Sequence, residues 1–314
     1  MRKLLLVDGS ALLHRAYHAY PPLTSKTGEI VGAVYGVTSI LLSALESETP
    51  THVMVAWDLP KPTFRHVKYV GYKAQRPKAD TEMVVQIPQV KEVIKAMGIK
   101  QVEQEGYEAD DIIGTLAKQG SAEPCDVLIL TGDQDTMQLV SEHVRVLTPA
   151  KGVNPPMLYG PDEVFNKYGV HPEQMVDYKA LVGDVSDNIP GVVGIGPKGA
   201  ANLIKMFGTL ERIYRDIKEV QVHFGELTAK KLADGKESAW MSQDLSRIVT
   251  DMRLTIKLEE MEYNGLQAMP SGRQGDSLKV KLEELGFKSL IKRIFGDPAS
   301  SKDSAGASNQ MGLF

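Results

Sequence analysis

The first half of the chain alternates short apolar runs with stretches of helical periodicity. The runs KLLLVD, THVMVAWD, IKQVEQ and DVLILTGD predict strands, and helical patterns lie between them over residues 30–45, 81–97 and 107–118. Runs that are apolar on both faces are typical of parallel strands buried between helices. The sequence therefore predicts an α/β fold with a mostly parallel sheet flanked by helices.

The second half loses the strand pattern after about Pro161 and becomes mainly helical. Proline and two acids at 161–163 predict a helix start, because proline fits the first turn and acids favour the positive end of the helix dipole. The run DMRLTIKL predicts one more strand for the sheet, and DSLKVKLEELGF and KSLIKRIF predict amphipathic helices. Residues 296–314 are small and polar until an apolar end, which predicts a flexible tail.

Composition narrows the class of protein. The chain has 314 residues, 42% of them hydrophobic, and a net charge of −4, which argues against a uniformly basic nucleic-acid binder. A single cysteine, Cys125, excludes an internal disulfide and a cysteine-rich zinc site. The apolar start is too short for a secretion signal and no run approaches the ~18 residues of a membrane span, so we expect a cytoplasmic protein.

Aspartates follow three of the predicted strands. Asp8 and Asp58 each end a strand, and Asp133 and Asp135 follow another in TGDQD. Each alone also fits a turn or a helix cap. The carboxyl ends of parallel strands share one edge of a sheet, where ligands of open α/β folds bind. Together these aspartates therefore predict a site at that edge.

Two further motifs add carboxylates. EGYEADDIIGTLA carries Glu108, Asp110 and Asp111 at a helix start, and VGDVSDNIPG carries Asp184 and Asp187. Acids in a first helical turn are also favoured simply by the helix dipole. So many ionised carboxylates are tolerable in one region only with cations present, and an oxygen-only ligand set selects Mg²⁺ or Mn²⁺. Two such ions about 4 Å apart would support hydrolysis of a phosphodiester.

A basic stretch follows Asp58. The segment KPTFRHVKYVGYKAQRPK at 61–78 has six lysines and arginines, no acid, and three interleaved aromatic residues. Cations for phosphates and rings for bases suit a single-stranded nucleic acid, although such a run can also be a solvated face.

A glycine-rich stretch, GVVGIGPKGAANLI, has the spacing of a dinucleotide fingerprint at Gly194, Gly196 and Gly199. That fingerprint requires a preceding strand, whereas here a predicted helix precedes it, and Pro197 after Gly196 excludes a Walker loop. A helix, a glycine hairpin and a second helix remain. Such a hairpin would offer backbone amides and Lys198 to a phosphate without reading sequence.

In this order, LLLVDGSALLHRAYHA, AWDLPKPTFRH, GYKAQRP, EGYEADDIIGTLA, TGDQD and ALVGDVSDNIPGVVGIGPKGAANLI resemble the motifs of the 5′-nuclease (flap endonuclease) family. The family includes the amino-terminal 5′→3′ exonuclease domain of bacterial DNA polymerase I, and the resemblance covers roughly residues 1–295. It implies a PIN-like catalytic domain at 1–168, with a helical arch at about 60–97. It further implies a DNA-binding subdomain of helix-three-turn-helix (helix-hairpin-helix) type at 169–295, with its hairpin at about 184–207.

The resemblance also implies roles for individual residues. Lys73 and Arg76 would be catalytic, and a K⁺ ion would lie on carbonyls of the hairpin. Substrate contacts would come from Arg65, Tyr72, Gly194, Gly196 and Lys198. Two Mg²⁺ or Mn²⁺ ions would be held by nine acids, Asp8, Asp58, Glu108, Asp110, Asp111, Asp133, Asp135, Asp184 and Asp187. The implied substrate is DNA with a 5′ flap or nick, and the implied enzyme is a monomer associated with the nucleoid.

Other interpretations remain open at this point. The final QMGLF resembles the Q-x-x-L-F peptide by which bacterial replication proteins bind the sliding clamp, with Gln310, Leu313 and Phe314 as anchors, although an arbitrary apolar end fits as well. No polymerase sequence follows, so the chain is expected to be a stand-alone enzyme or an excised domain. An RNA-cleaving PIN nuclease and an inactive protein that binds branched DNA are the alternative functions, and the complete set of acids argues against the second.

Overall fold

A computed structural model of the chain describes residues 2–122, 125–150, 154–265 and 274–296. Six strands form one sheet in the order β3-β2-β1-β4-β5-β6, parallel throughout except for the last pair. The predicted mostly parallel sheet is therefore confirmed. The strands are β1 (Arg2–Asp8), β2 (His52–Trp57), β3 (Lys100–Glu103), β4 (Cys125–Leu130), β5 (Val144–Thr148) and β6 (Met157–Tyr159).

Fifteen α-helices lie in the described ranges. They are α1 (Gly9–Ala19), α2 (Gly32–Glu48), α3 (Phe64–Lys68), α4 (Thr81–Val84), α5 (Ile87–Ala96), α6 (Ala109–Ser121), α7 (Pro161–Tyr168), α8 (Met175–Val182), α9 (Pro197–Phe207), α10 (Leu210–Arg215), α11 (Ile217–Phe224), α12 (Glu226–Asp234), α13 (Lys236–Ser246), α14 (Gln274–Glu284) and α15 (Lys288–Phe295). In the same ranges, no helix is long and apolar enough to cross a membrane.

Alternating side chains of β1 build two cores, one on each face of the sheet. Leu4 and Leu6 pack with α6 and with helices of the second half of the chain, whereas Leu5 and Val7 pack with α1, α2, α5, α14 and α15. Successive residues of a strand point to opposite faces, so a strand covered on both sides must be apolar throughout. This explains the uninterrupted apolar run of β1.

Two predictions of secondary structure were wrong. The helix predicted over 81–97 is divided into α4 and α5, and α5 carries Pro88 in its first turn, where a ring without an N–H cannot continue the preceding helix. The strand predicted in DMRLTIKL does not form. Met252, Leu254 and Ile256 instead pack on the core beside α6, so the alternating pattern is satisfied by burial without a partner strand.

Candidate metal centre

The strand-end aspartates cap helices and lie together at the carboxyl edge of the sheet. Asp8 is the N-cap of α1: its Oδ1 accepts a hydrogen bond from Ala11 N at 2.9 Å, and its Oδ2 accepts one from Thr131 Oγ1 at 2.9 Å. Asp58, after β2, accepts one from Ala109 N at 2.8 Å and so holds the start of α6. The helix-cap interpretation and the predicted shared edge are therefore both correct.

The loop after β4 supplies the next pair of carboxylates. Asp133 N donates to Thr131 Oγ1 at 3.0 Å, so this hydroxyl connects the Asp8 side chain with the loop. Asp135 N donates to Asp133 Oδ1 at 2.9 Å. Thr131 is fully buried and was not predicted as a site residue; its position between an apolar strand and the GDQD turn was the available signal.

Asp110 lies at the centre of the group. The pKa of Asp110 is raised well above its ordinary value, first by burial and then by the carboxylates of Asp133, Asp8, Asp135 and Asp58. Burial, followed by the charge on Asp58, raises the pKa of Asp8 to about 7. Oδ1 of Asp110 is buried and accepts no hydrogen bond. Five carboxylates with strong mutual repulsion and an unpaired buried oxygen form a site that fits a cation.

The carboxylates of this group do not surround a common position for a metal ion. Within the described ranges, no group of three or more acidic, histidine or cysteine side chains is already arranged to enclose a metal ion. Coordination would therefore require the carboxylates to rotate toward a common centre.

Lys179 joins this group from α8, although the sequence interpretation gave it no role. Its ammonium contacts Asp135 Oδ1 and lies 2.9 Å from Asp184 Oδ2. Burial disfavours the charged ammonium, but the charges of Asp135 and Asp184 outweigh it and raise the pKa of Lys179. A single lysine in the largely buried MVDYKALV helix, five residues before Asp184, was the signal that could have revealed it.

Glu108 and Asp187 form a neighbouring group with residues of the basic stretch. Tyr72 OH donates to both carboxylates, at 3.0 Å to Glu108 Oε2 and 3.1 Å to Asp187 Oδ2. Lys73 Nζ lies 2.9 Å from Glu108 Oε1, and the Arg76 guanidinium contacts Asp187 Oδ1. The two predicted catalytic cations are thus close to the acids, but each is already paired with one of them.

Asp111 and Arg65 form a buried pair beside this group, where Arg65 Nη1 also lies 3.5 Å from Glu108 Oε2. The Arg65 guanidinium forms two 2.8 Å bonds to Asp111, and the two residues are 3% and 0% exposed. The carboxylate of Asp111 also accepts hydrogen bonds from the backbone N–H groups of Glu108 and Val249. These contacts occupy the oxygens of Asp111 and the donors of Arg65. Neither residue is therefore included among the proposed metal and DNA contacts.

An open cleft lies beside the carboxylates. It has a volume of about 380 Å³ and runs from Asp58 to Glu108, with Lys61, Lys73 and Arg76 along its wall. The side chains of Lys61 and Arg76 are about half exposed. Cations beside an acidic edge can hold a phosphate close to ions bound by the acids.

The glycine stretch forms the predicted hairpin between α8 and α9. Gly194 has a φ of 82°, which favours glycine, and Gly196 caps α9, whose first turn contains Pro197 and exposed Lys198. The carbonyl of Gly194 accepts a hydrogen bond from Lys231 Nζ at 3.2 Å, so an ammonium group already lies on a hairpin carbonyl.

Gln310, Leu313 and Phe314, the anchors of the predicted clamp-binding peptide, lie outside the described residues.

Family models identify this architecture. The model for the "5′-3′ exonuclease, N-terminal resolvase-like domain" matches residues 3–169, and that for the "5′-3′ exonuclease, C-terminal SAM fold" matches residues 170–269. The fold is thus a PIN-like, resolvase-like nuclease domain joined to a helical SAM-fold domain. The chain belongs to the 5′-3′ exonuclease family.

Curated relatives agree with this assignment. The chain is 40% identical over 301 residues to DNA polymerase I of Bacillus subtilis, covering 96% of this chain and 33% of that protein. It is 37% identical over 294 residues to a 5′-3′ exonuclease of Aquifex aeolicus, covering 94% of this chain and 96% of that protein. The chain therefore spans about a third of the length of the polymerase relative and nearly all of the exonuclease.

Solved structures share the fold at lower identity. The 5′-exonuclease of bacteriophage T5 with bound zinc has a TM-score of 0.65 and 23% identity, covering 90% of this chain and 100% of that one. The catalytic core of Rad2 in complex with DNA has a TM-score of 0.56 and 17% identity, covering 96% and 91%.

The raised pKa values predict an unusual pH dependence of stability for the metal-free protein. The pKa of Asp8 and of Asp135 is about 7 in the fold and about 3.8 in the unfolded chain, so between these values the folded state binds more protons. This contribution to the free energy of unfolding therefore falls as the pH rises from about 4 to about 7. Thermal unfolding in EDTA should give a lower midpoint at pH 8 than at pH 6, with Mg²⁺ reducing the difference; a midpoint that rises with pH in EDTA would contradict it.

Proposed function

We propose that this chain is a divalent-metal-dependent, structure-specific 5′ nuclease that acts as a 5′→3′ exonuclease and 5′-flap endonuclease on branched or nicked DNA. Replication and repair, including the processing of lagging-strand fragments, would supply such substrates. The observation that carries the proposal is the group of five mutually repelling carboxylates at the sheet edge, which includes the unpaired buried oxygen of Asp110 and lies beside a cationic cleft. Family membership and DNA-bound neighbours of the same fold support it.

The metal ligands proposed are the acids that face one another at the sheet edge. Asp8, Asp110 and Asp133, with Asp58 nearby, would hold a first Mg²⁺ or Mn²⁺, and a second would lie outward, toward Asp135 and Asp184. Carboxylate oxygens without nitrogen or sulfur donors suit these hard cations. When bound, two such ions activate a water and stabilise the leaving oxygen of a phosphodiester.

The chain's own cations would place the scissile phosphate. Lys73 and Arg76 border the cleft from the acid side, so a phosphate entering it would compete with Glu108 and Asp187 for them. Donors aimed at a phosphate in a partly buried site stabilise the charge that develops on its oxygens. Tyr72 is buried with its hydroxyl on Glu108 and Asp187, so we assign it the orientation of these acids instead of direct contact with DNA.

The hairpin would bind the duplex away from the cut. Gly194 and Gly196 leave its amides accessible at the start of α9, and exposed Lys198 adds a charge for the phosphate backbone. A K⁺ ion on the hairpin carbonyls remains part of the proposal, although Lys231 already occupies the carbonyl of Gly194.

The proposed partner outside the active site is a bacterial sliding clamp, bound through Gln310, Leu313 and Phe314. Its support is the Q-x-x-L-F pattern at the end of the chain. We further propose that the enzyme works as a monomer at the nucleoid in the cytoplasm.

The function is tested with end-labelled 5′-flap, nicked and single-stranded DNA and a structured RNA, each with Mg²⁺ or with EDTA. We expect cleavage near the flap junction in Mg²⁺ and none in EDTA. Preferential cutting of RNA would favour the RNA nuclease, and junction binding without cleavage would favour an inactive scaffold. Removal of residues 310–314 serves as a control, because it should leave flap cleavage unchanged and remove only binding to a sliding clamp.

A further inference from the structure

The acids of the candidate centre differ in whether a basic side chain neutralises them. Lys179 lies between Asp135 and Asp184, with its side chain only 11% exposed. In the part of the chain that the structure describes, by contrast, no lysine or arginine forms an ion pair with Asp8, Asp110 or Asp133. The edge of the sheet therefore has an inner group of acids without a direct cation and an outer pair that shares one ammonium.

The position of Lys179 coincides with that proposed for the second metal ion. An ammonium within bonding distance of two carboxylates occupies the space that a cation shared by the same oxygens would need. Because Lys179 and both acids are largely buried, water cannot easily replace the contacts that a displaced ammonium would lose. A divalent ion at the outer position must therefore displace Lys179 or accept its repulsion.

We propose that Lys179 is a positioning residue that occupies the outer metal position of the DNA-free protein and so lowers the affinity of that position for divalent ions. The inner position, formed by Asp8, Asp110 and Asp133, stays available. This inference rests on the proposed metal-dependent function. It predicts two unequal sites, of which the inner one fills first and the outer one fills when Lys179 turns aside.

Substitutions of Lys179 can distinguish a lysine that competes with a metal ion from one that merely stabilises the fold. Lys179→Met removes the charge and keeps most of the side-chain volume, so the repulsion on an outer ion disappears while Asp135 and Asp184 remain. Lys179→Gln does the same with a smaller, polar side chain, in case methionine disturbs folding. Lys179→Arg keeps the charge. Lys167→Met is a matched control, because Lys167 lies on the adjacent α7 and contacts the uncharged Gln134 and Tyr159.

The test is Mn²⁺ titration of the full chain without DNA by isothermal calorimetry. We expect the wild type, Lys179→Arg and Lys167→Met to show one tight and one weak site. In Lys179→Met and Lys179→Gln, the weak site should tighten by about tenfold or more, and the tight site should not change. In EDTA these two variants should unfold at a lower temperature than the wild type, and Mn²⁺ should restore the lost stability.

The outcomes separate the two proposals. No Mn²⁺ uptake by the wild type would refute the metal-dependent function itself. Two sites in the wild type with an unchanged or weaker outer site in both Lys179→Met and Lys179→Gln would refute the inference and leave the function standing. A loss of stability that Mn²⁺ does not restore, with unaltered affinities, would assign Lys179 a structural role only and would also overturn the inference.

Discussion

Asp110→Asn is expected to abolish flap cleavage and, at the same time, to stabilise the metal-free protein. The carboxylate is buried among four others, and its Oδ1 has no hydrogen-bond partner. Loss of a central metal ligand should lower kcat roughly a thousandfold or more, since metal ions supply several kcal/mol of charge stabilisation in such reactions. Removing one of the repelling charges should raise the free energy of unfolding in EDTA by about 1 kcal/mol at pH 8.

The measurement combines single-turnover cleavage in Mg²⁺ with thermal unfolding in EDTA. Asp126→Asn is the matched control, because Asp126 is an exposed aspartate on β4, away from the carboxyl edge. It should alter neither quantity. Full cleavage by Asp110→Asn would exclude Asp110 as a ligand, and lower stability in EDTA would show that the unpaired oxygen is not a source of strain.

Arg65→Met should be the most destabilising single change of a polar residue in the basic stretch. It leaves Asp111 fully buried without the guanidinium that forms two 2.8 Å bonds to it, and it also removes hydrogen bonds to the carbonyls of Leu245 and Arg247. Breaking one side of a buried ion pair costs about 3–5 kcal/mol. Chemical denaturation should detect this loss directly.

Lys68→Met is the control for this substitution. Lys68 lies on the same short helix and pairs with Asp244 at 2.6 Å, but both side chains are about half exposed, so the expected loss is below about 1 kcal/mol. Arg65→Met with wild-type stability and much weaker DNA binding would restore the original expectation that Arg65 contacts the substrate.

The carboxyl edge could be predicted because its signals are local. An apolar run followed by aspartate identifies a strand end, and parallel strands bring such ends together, as the hydrogen bonds of Asp8 and Asp58 with neighbouring elements confirm. The hairpin was predictable for a similar reason, since glycines and a proline determine it within one short segment.

The roles of the helix acids could not be predicted from spacing alone. The backbone N–H of Glu108 donates to Asp111, whereas the carboxylate of Asp110 lies among the strand-end aspartates. Spacing does not reveal which residue packs against each face. Asp111 forms a buried ion pair with Arg65, which is 46 residues away in the chain, and only tertiary packing determines that contact. Lys179 was missed because its partner Asp135 comes from a different element.

The central claim is that the acids at the sheet edge bind the ions that cut DNA, and anomalous diffraction from crystals soaked in Mn²⁺ tests it most directly. The account predicts a peak about 2.1–2.4 Å from carboxylate oxygens of Asp8, Asp110 and Asp133. No peak at that edge, or manganese bound only elsewhere on the molecule, would contradict it.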